Sequence, residues 1–261
     1  MNRVEQCRDA VLLVGHGTTD ATGIAEIAEL TTLVAQALPN VDVEICFLEH
    51  AEPTIAEGFS RLVGRGARRV KVVPLLLFAA GHARRDIPFA VERARSAYPG
   101  CEILLAPHLG LHDAIVELSA RRFDEAFAAD SGPDMSVMAA DTMLLLVGRG
   151  SYEPDANAEM AAFARLRFER RPVGWYEIGF LSMAEPRVDR AIELVSSLPF
   201  RRVVVQPHLL FRGALFDRLL ATVEVRARNG EQSWIATDHL GPHRLLVEAI
   251  LDRAGYGAPA E

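Results

Sequence analysis

The chain has 261 residues, a length that suits one large domain or two of roughly 130 residues each. Half of the residues are apolar, so the chain can bury a substantial core, and the formal net charge of −7 argues against general nucleic-acid binding, which requires a basic face. The three cysteines, Cys7, Cys46 and Cys101, stand far apart, which argues against a zinc ribbon, a cysteine-bound iron–sulfur cluster and a disulfide framework.

The N-terminal segment, residues 1–9, is polar and lacks the apolar core of a signal peptide. The sequence contains no stretch of about 18 apolar residues, so no membrane span is predicted. With the widely separated cysteines, these features predict a cytoplasmic protein whose partners include neither a membrane nor a nucleic acid.

Short apolar runs alternate with segments of helical spacing through the first half. Apolar and β-branched runs predict buried strands, and the longer periodic segments, two of which stop at a proline, predict helices. In chain order the predicted elements are a strand at Ala10–Gly15, a helix at Ile24–Leu38, a strand at Val41–Leu48, a helix at Thr54–Val63, a strand at Val70–Phe78, a helix at Ile87–Tyr98, a strand at Glu102–Ala106 and a helix at Leu111–Phe127.

The sequence repeats itself once. Three pairs of matching segments are offset by 133 positions, and a fourth pair is offset by 131. The pairs are VLLVGHG at 11–17 with LLLVGRG at 144–150, FLEHAEP at 47–53 with FLSMAEP at 180–186, RRVKVVPLLLF at 68–78 with RRVVVQPHLLF at 201–211, and HLG at 108–110 with HLG at 239–241. Four matches in the same order imply two equivalent halves.

The duplication divides the chain into an N-terminal domain over 1–129, a linker over 130–141 and a degenerate C-terminal repeat over 142–261. The linker sequence, DSGPDMSVMAAD, is rich in small and polar residues. Strand–helix alternation predicts right-handed crossovers and a parallel sheet covered on both faces. The predicted fold class is therefore α/β, with two tandem doubly wound domains related by a pseudo-twofold and an active site in the cleft between them.

Three residues that could perform chemistry follow the predicted strands of the first half. His16 follows the first strand, Glu49 ends the second and His82 follows the third, at regular intervals of 33 positions. In open α/β sheets, ligands bind outside the carboxyl ends of the strands, so these side chains are expected to converge. Two imidazoles and a carboxylate suit a divalent transition metal such as Fe²⁺, Co²⁺ or Ni²⁺.

The second half serves as an internal control for this triad. A histidine beside a glycine can also fill a turn or cap a helix. For any one of these residues taken alone, such a structural role is at least as expected as a functional one. However, His16 and Glu49 correspond to Arg149 and Ser182, and His82 falls opposite Ala214 after a one-residue gap. In contrast, Glu52, Pro53, Pro74 and Phe78 persist as Glu185, Pro186, Pro207 and Phe211. The persistent set indicates architecture, and the triad indicates one active site built mainly on the first half.

Other polar residues near the predicted rim carry weaker signals. Arginine binds carboxylates bidentately, so rim arginines could hold an acidic substrate, although at least half of them are expected to be solvated surface charges. The pairs of matched histidines predict structural roles, and His50 is expected to be exposed. These residues are Arg84, Arg85, Arg149 and Arg212, and the histidine pairs His108 with His239 and His112 with His243.

With these residues in view, the chain resembles the sirohydrochlorin chelatases, the class II chelatases of cobalamin and sirohaem synthesis, in their long duplicated form. The segments that carry the resemblance are LLVGHG at 12–17, FLEHAEP at 47–53 and VVPLLLFAAGHARRDIP at 72–88. The resemblance implies that His16 and His82 bind the incoming metal and help to remove pyrrole protons, with Glu49 as ligand or base. Thr18 and Thr19 stand where the family usually has Ser followed by Arg, so a substrate contact at Thr18 can differ.

The resemblance implies insertion of Co²⁺ or Fe²⁺ into a tetrapyrrole, with no permanently bound cofactor and with the metal, Co²⁺, Fe²⁺ or Ni²⁺, as a substrate. Thr18, Arg84, Arg149 and Arg212 are the candidate substrate contacts, and a monomer or a weak homodimer is expected. A histidine phosphatase is disfavoured because Gly15, not an arginine, precedes His16. A cytoplasmic metal or tetrapyrrole carrier without turnover is the alternative that the sequence leaves open.

Overall fold

A computed structural model describes residues 8–78, 80–129, 139–229 and 232–257. Strands and helices alternate through this part of the chain, and none of its helices combines the length and apolar composition needed to cross a membrane. The first half contains β1 (Arg8–Gly15), α1 (Ala21–Ala37), β2 (Asp42–Phe47), α2 (Ile55–Gly64), β3 (Ala67–Pro74), α3 (His82–Ala97), β4 (Glu102–Leu105) and α4 (Asp113–Ala129). After a short 3₁₀ helix at Ala139–Asp141, the second half contains β5 (Thr142–Gly148), α5 (Pro154–Arg170), β6 (Trp175–Phe180), α6 (Val188–Ser196), β7 (Arg202–Pro207), α7 (Ala214–Asn229), β8 (Ser233–Ala236) and α8 (Arg244–Arg253).

Each half forms a four-stranded parallel sheet, in the order β2-β1-β3-β4 for the first and β6-β5-β7-β8 for the second. The chain moves outward from β1 to β2 and then crosses back to β3, so right-handed connections place helices on both faces. The prediction of two parallel-sheet α/β domains is confirmed. The same strand order in both halves shows that the sequence repeat is a repeat of the fold.

Strand β1 is apolar from Ala10 to its end and β5 from Met143 to its end, because both faces of each sheet are covered. On one face of the first sheet, Leu12 and Val14 of β1 pack in a common core with Phe59 of α2 and Val91 of α3. Leu13, which strand alternation places on the opposite face, is also fully buried. The first sheet therefore has a core on each side.

The second sheet has the same plan. Leu145 and Val147 of β5 share a core with Ile192 of α6 and Val223 of α7, on the face equivalent to that covered by α2 and α3. The equivalence extends to the loops at the carboxyl ends of the strands. Isolated parallel bridges join Phe47 to Thr54 in the first repeat and Phe180 to Arg187 in the second.

The two compact units of the structure differ from the two sequence repeats in their last helices. One unit comprises the chain up to Leu109 together with the chain from Leu246 onward, and the other comprises Gly110–Leu245. Helix α4 is therefore grouped with the second sheet and most of α8 with the first. Of the predicted linker over 130–141, residues 130–138 lie outside the described residues.

The predicted ends of two elements near His82 are wrong. The third strand was predicted to run to Phe78, but β3 ends at Pro74 because β1 ends at Gly15 and β4 at Leu105, so no neighbouring strand remains to pair. The third helix was predicted to begin at Ile87, but it begins at His82 and includes Pro88. Residues 75–81 thus separate His82 from the strand.

Two of the three cysteines, Cys46 and Cys101, lie in the part of the chain that the structure describes. Cys46 and Cys101 are both buried, and Cys7 lies outside the described residues. Burial, helped by the charge of Glu44, raises the pKa of Cys46 well above its usual range. A neutral, buried thiol is neither a metal ligand nor a nucleophile, so Cys46 is part of the core.

A buried histidine distinguishes the second repeat from the first. His208 follows β7 and is 3 % exposed, and its ring centroid lies 3.8 Å from that of Phe163. Burial lowers the pKa of His208 from 6.5 to about 3. The equivalent residue of the first repeat is Leu75, which is also buried. The His208 imidazole therefore stays neutral in the folded protein at pH values where the unfolded chain would protonate it.

Lowering the pH from 7 to 5 should destabilise the wild-type protein more than its His208→Leu variant. A histidine whose pKa falls on folding causes no penalty above the unfolded value of 6.5, and stability is lost as the pH falls from there toward 3. At pH 5 the loss is about 2 kcal/mol, since one pKa unit corresponds to about 1.4 kcal/mol. Urea unfolding at both pH values measures this difference, and an equal pH dependence in the two proteins would contradict it.

Candidate metal and proton-transfer site

The loops that follow β1 and β2 are held together by their backbones. The N–H of Leu48 donates to the carbonyl oxygen of Gly15 at 3.0 Å, and the N–H of Glu49 donates to that of His16 at 3.0 Å. The hydrogen-bond pattern of the parallel strands thus continues past their ends. His16 and Glu49 are neighbours because the sheet register makes them so.

Gly17 allows the two loops to approach this closely. It adopts φ +102°, a conformation that L side chains rarely adopt, and a Cβ atom at this position would lie 1.6 Å from the carbonyl oxygen of Glu49. The glycine after His16 is therefore a steric requirement of the loop pair, and it does not mark a phosphate-binding turn.

The side chains of His16 and Glu49 meet at this strand end. The distance from His16 Nε2 to Glu49 Oε1 is 3.4 Å, and the two side chains are 33 % and 44 % exposed. An imidazole and a carboxylate at this separation can bind one divalent metal together, or one can accept a proton that the other stabilises. Of the predicted triad, the structure brings these two together.

The third member, His82, is the first residue of α3, and Gly81 before it has φ +46°. The side chain of His82 lies outside what the structure describes, so its predicted convergence with His16 and Glu49 stays a prediction. Within the described residues, no three His, Cys, Asp or Glu side chains are placed to hold a metal ion.

The second repeat has the same loop backbones, with Arg149 and Ser182 in place of His16 and Glu49. The N–H of Ser182 donates to the carbonyl oxygen of Arg149 at 2.8 Å, and Gly150 has φ +84° with its missing Cβ 1.9 Å from the oxygen of Ser182. The peptide bonds Glu52–Pro53 and Glu185–Pro186 are both cis. The loop glycine and the cis-proline therefore have the same backbone role in both repeats.

Two of the predicted substrate contacts belong to the first repeat. Thr18 lies in the loop after His16, and its hydroxyl oxygen accepts a hydrogen bond from the N–H of Asp20, which caps α1 by accepting from the N–H of Gly23. Thr18 thus has a local structural role in addition to any substrate contact. Arg84 is exposed in the first turn of α3, two residues after His82.

The other two predicted contacts belong to the second repeat. Arg149 is exposed at the position equivalent to His16. Arg212 forms an ion pair with Asp217, at 2.9 Å between Nη2 and Oδ1, and its guanidinium carbon lies 5.9 Å from the centroid of the Phe216 ring. The charge of Arg212 is therefore partly balanced within its own repeat, which favours Arg149 over Arg212 as a contact for an anionic substrate.

Sequence reasoning did not include His50 among the candidate site residues, and the structure places it beside Glu49. The side chain of His50 is 59 % exposed, as predicted, but its Nε2 lies 3.7 Å from Glu49 Oε1. Its ring is nearly parallel to that of His16, with 8° between the planes and 6.3 Å between the centroids. A second imidazole therefore lies beside the same carboxylate oxygen.

The structural roles predicted for His112 and His243 are confirmed. The N–H of Ala114 donates to Nδ1 of His112 at 3.2 Å, and the N–H of Leu245 donates to Nδ1 of His243 at 3.1 Å. Each imidazole satisfies a free N–H at the start of the last helix of its repeat, which is the work of a helix cap.

Comparisons with known proteins agree with this arrangement of two repeats. The family described as CbiX matches residues 10–126 and again residues 143–255. A sirohydrochlorin cobaltochelatase from Priestia megaterium is 30% identical over 97% of this chain and 81% of its own length. A sirohydrochlorin ferrochelatase from the same organism is 32% identical over 93% of this chain and 88% of its own.

A solved structure of SirB from Bacillus subtilis with Fe³⁺ superposes with a TM-score of 0.82, covering 96% of both chains at 29% identity. The sirohydrochlorin chelatase SirB from Bacillus subtilis subspecies spizizenii, in complex with cobalt, superposes with a TM-score of 0.77 at the same identity. It covers 96% of this chain and 95% of its own. The fold, both repeats and nearly the full length agree, and the chain belongs to the CbiX family of sirohydrochlorin chelatases.

Proposed function

We propose that this protein is a chelatase that inserts a divalent metal, Co²⁺ or Fe²⁺, into sirohydrochlorin. The observation that carries the proposal is the His16–Glu49 pair at the ends of β1 and β2, with 3.4 Å between Nε2 and Oε1. The family relatives named as cobaltochelatase and ferrochelatase support the same reaction. The second repeat keeps the loop backbones but has arginine and serine at these positions, so the chemistry is assigned to the first repeat.

The reaction exchanges one divalent cation for two protons. Metal insertion requires the ion to lose water and the two pyrrole N–H groups of the macrocycle to lose their protons. A neutral imidazole can bind the ion or accept a proton near pH 7, and the Glu49 carboxylate balances the positive charge of either. His16 and His82 are assigned as metal ligands and proton acceptors, and Glu49 as a ligand to the ion. The exposure of His16 provides a path for protons to leave to solvent.

The substrate is a polycarboxylate, so cationic side chains contribute to its binding. Arg84 is exposed in the first turn of the helix that His82 begins, and a guanidinium can bind a carboxylate through two hydrogen bonds. Arg149 and Arg212 are assigned as further cations for the carboxylates, and Thr18 as a hydroxyl donor to one of them. We assign no permanently bound cofactor, because none of these roles requires one.

Metal choice and oligomeric state extend the same proposal. Imidazole and carboxylate ligands accept Co²⁺, Fe²⁺ and Ni²⁺, and their intrinsic affinities follow the general order for divalent ions. We assign Co²⁺ or Fe²⁺ because the named relatives use cobalt or iron. A monomer or a weak homodimer in the cytoplasm stays a prediction of the sequence.

The test is a multi-turnover assay under anaerobic conditions. Sirohydrochlorin and Co²⁺ or Fe²⁺ are mixed in excess over the full-length protein, and the visible absorbance of the macrocycle is compared with that of a mixture without protein. A chelatase accelerates conversion well beyond one macrocycle per chain. A carrier binds the pigment and stops at one equivalent, and that result would replace the proposal with the alternative. A rate equal to that of the protein-free mixture, without binding, would remove both.

A further inference from the structure

His50 has a backbone that does not require histidine. Its φ is +62°, and the equivalent residue of the second repeat, Met183, has φ +58°. Both residues turn the chain after the second strand of their repeat, so this left-handed turn is part of the shared scaffold. The scaffold accepts a thioether where the metal chemistry is missing and has an imidazole where the metal chemistry is present.

The imidazoles of His16 and His50 both lie near the same carboxylate oxygen of Glu49. Glu49 Oε1 lies 3.4 Å from Nε2 of His16 and 3.7 Å from Nε2 of His50. Two nitrogen or oxygen ligands on one ion, each with a bond of about 2.1 Å, lie about 3.0 to 3.4 Å apart. The His16–Glu49 pair has this separation already, and the His50–Glu49 pair needs only a few tenths of an ångström.

The two histidines that lie near Glu49 differ in solvent exposure. The side chain of His50 is 59 % exposed and that of His16 is 33 % exposed, with Glu49 at 44 %. The two rings are nearly parallel, with 6.3 Å between their centroids. Within the described residues, no three His, Cys, Asp or Glu side chains are placed to hold one ion together. The geometry therefore offers an outer pair and an inner pair that have Glu49 in common.

We infer that His50 and Glu49 form an outer metal-receiving site, from which the ion passes to His16 while Glu49 stays bound. In the first step the hydrated ion exchanges water for the imidazole of His50 and the carboxylate of Glu49. In the second step the imidazole of His16 replaces that of His50, so the ion gains and loses one nitrogen ligand. This inference rests on the proposed function, since it supplies the metal that the inner residues deliver.

The test measures metal exchange without any tetrapyrrole. Full-length protein is mixed with Co²⁺ in a stopped-flow instrument, and the visible absorption of bound cobalt gives the association and dissociation rates. In His50→Asn, both rates should fall by a similar factor, roughly tenfold, with little change in the equilibrium affinity. The rates fall together because a residue on the entry path is also on the exit path. Asparagine is suited to this position because it tolerates positive φ.

The matched control is Met183→Asn, which makes the same change at the same left-handed turn of the second repeat and should leave both rates unaltered. His50→Gly, which also accepts positive φ, repeats the test if His50→Asn does not fold. Unaltered rates in a folded His50 variant would overturn the inference. Faster release with weaker affinity would also overturn it, since His50 would then be a permanent ligand. Because the tetrapyrrole is absent, normal cobalt exchange combined with no metal insertion would count against the proposed function alone.

Discussion

Replacing His16 with alanine should lower the rate of metal insertion by at least about a hundredfold, the usual effect of removing a group that transfers protons in a reaction. Glu49→Gln should have an effect of similar size because the amide, unlike the carboxylate that lies 3.4 Å from Nε2 of His16, has no charge to balance that of the ion. We expect the same of His82→Ala. Initial rates of absorbance change with sirohydrochlorin and Co²⁺ or Fe²⁺ measure each effect.

The second repeat supplies the control for this prediction. Ser182 lies at the position equivalent to Glu49 and has the same backbone hydrogen bond, so Ser182→Ala should leave the rate within about twofold of wild type. A His16→Ala variant that keeps more than a tenth of the wild-type kcat would show that His16 takes no part in the chemistry.

Arg84→Ala should raise the KM for the macrocycle with little change in kcat, since a carboxylate contact binds substrate and transition state alike. Steady-state kinetics with sirohydrochlorin as the varied substrate measure this effect.

The positions of His16 and Glu49 could be predicted from the sequence because they depend on local rules. Buried parallel strands appear as short apolar runs, and residues that follow such runs come to one edge of the sheet. The repeat then separated the architectural residues from the chemical ones. Gly17 and Gly150, for example, are shared because both loops need the same close backbone approach, whereas His16 and Arg149 differ.

His50 could not be placed beside Glu49 from the sequence because both residues follow the end of β2 at Phe47, where strand alternation no longer determines which way a side chain points. The backbone of His50 is left-handed, with φ +62°, and its Nε2 lies 3.7 Å from Glu49 Oε1. Non-glycine residues in this conformation are uncommon, and nothing in the letters FLEHAEP indicates one.

The exchange of the last helices was also beyond the sequence. A helical pattern shows which face of a helix is apolar, but not which of two equivalent sheets that face covers. One signal was present and was missed. Arg167 and Gln206 occupy positions that are Val34 and Val73 in the first repeat, where both valines are fully buried. Paired polar residues at two core positions of one repeat indicate a partner that only this repeat has.

That partner is α4, which is joined to Arg167 and Gln206 by a series of buried hydrogen bonds. Nε of Arg167 donates to Oε1 of Gln206 at 3.1 Å, and Nε2 of Gln206 donates to the carbonyl oxygen of Ser119, in α4, at 2.6 Å. The guanidinium carbon of Arg167 lies 4.8 Å from the centroid of the Phe123 ring, also in α4. Burial lowers the pKa of Arg167 to about 10, so the side chain remains a cation at pH 7.

Gln206→Val should therefore destabilise the protein by about 3 kcal/mol, because it leaves a buried cation without its hydrogen-bond acceptor. Adding Arg167→Met should recover part of that loss, since the second change removes the uncompensated charge and fills most of its volume with an apolar chain. The double variant is thus expected to be more stable than Gln206→Val alone. Urea unfolding of the wild type, both single variants and the double variant measures the coupling.

The coupling energy between the two substitutions shows whether Arg167 and Gln206 act together. If Arg167 and Gln206 act as one unit that holds α4 on the second sheet, their effects are non-additive by at least about 1 kcal/mol, as for residues in one hydrogen-bond network. The first repeat shows that this core position does not need polarity for folding, because Val34 and Val73 are buried there. Additive losses would mean that the two residues stabilise the unit separately. The choice of α4 by the second sheet would then depend on apolar packing alone.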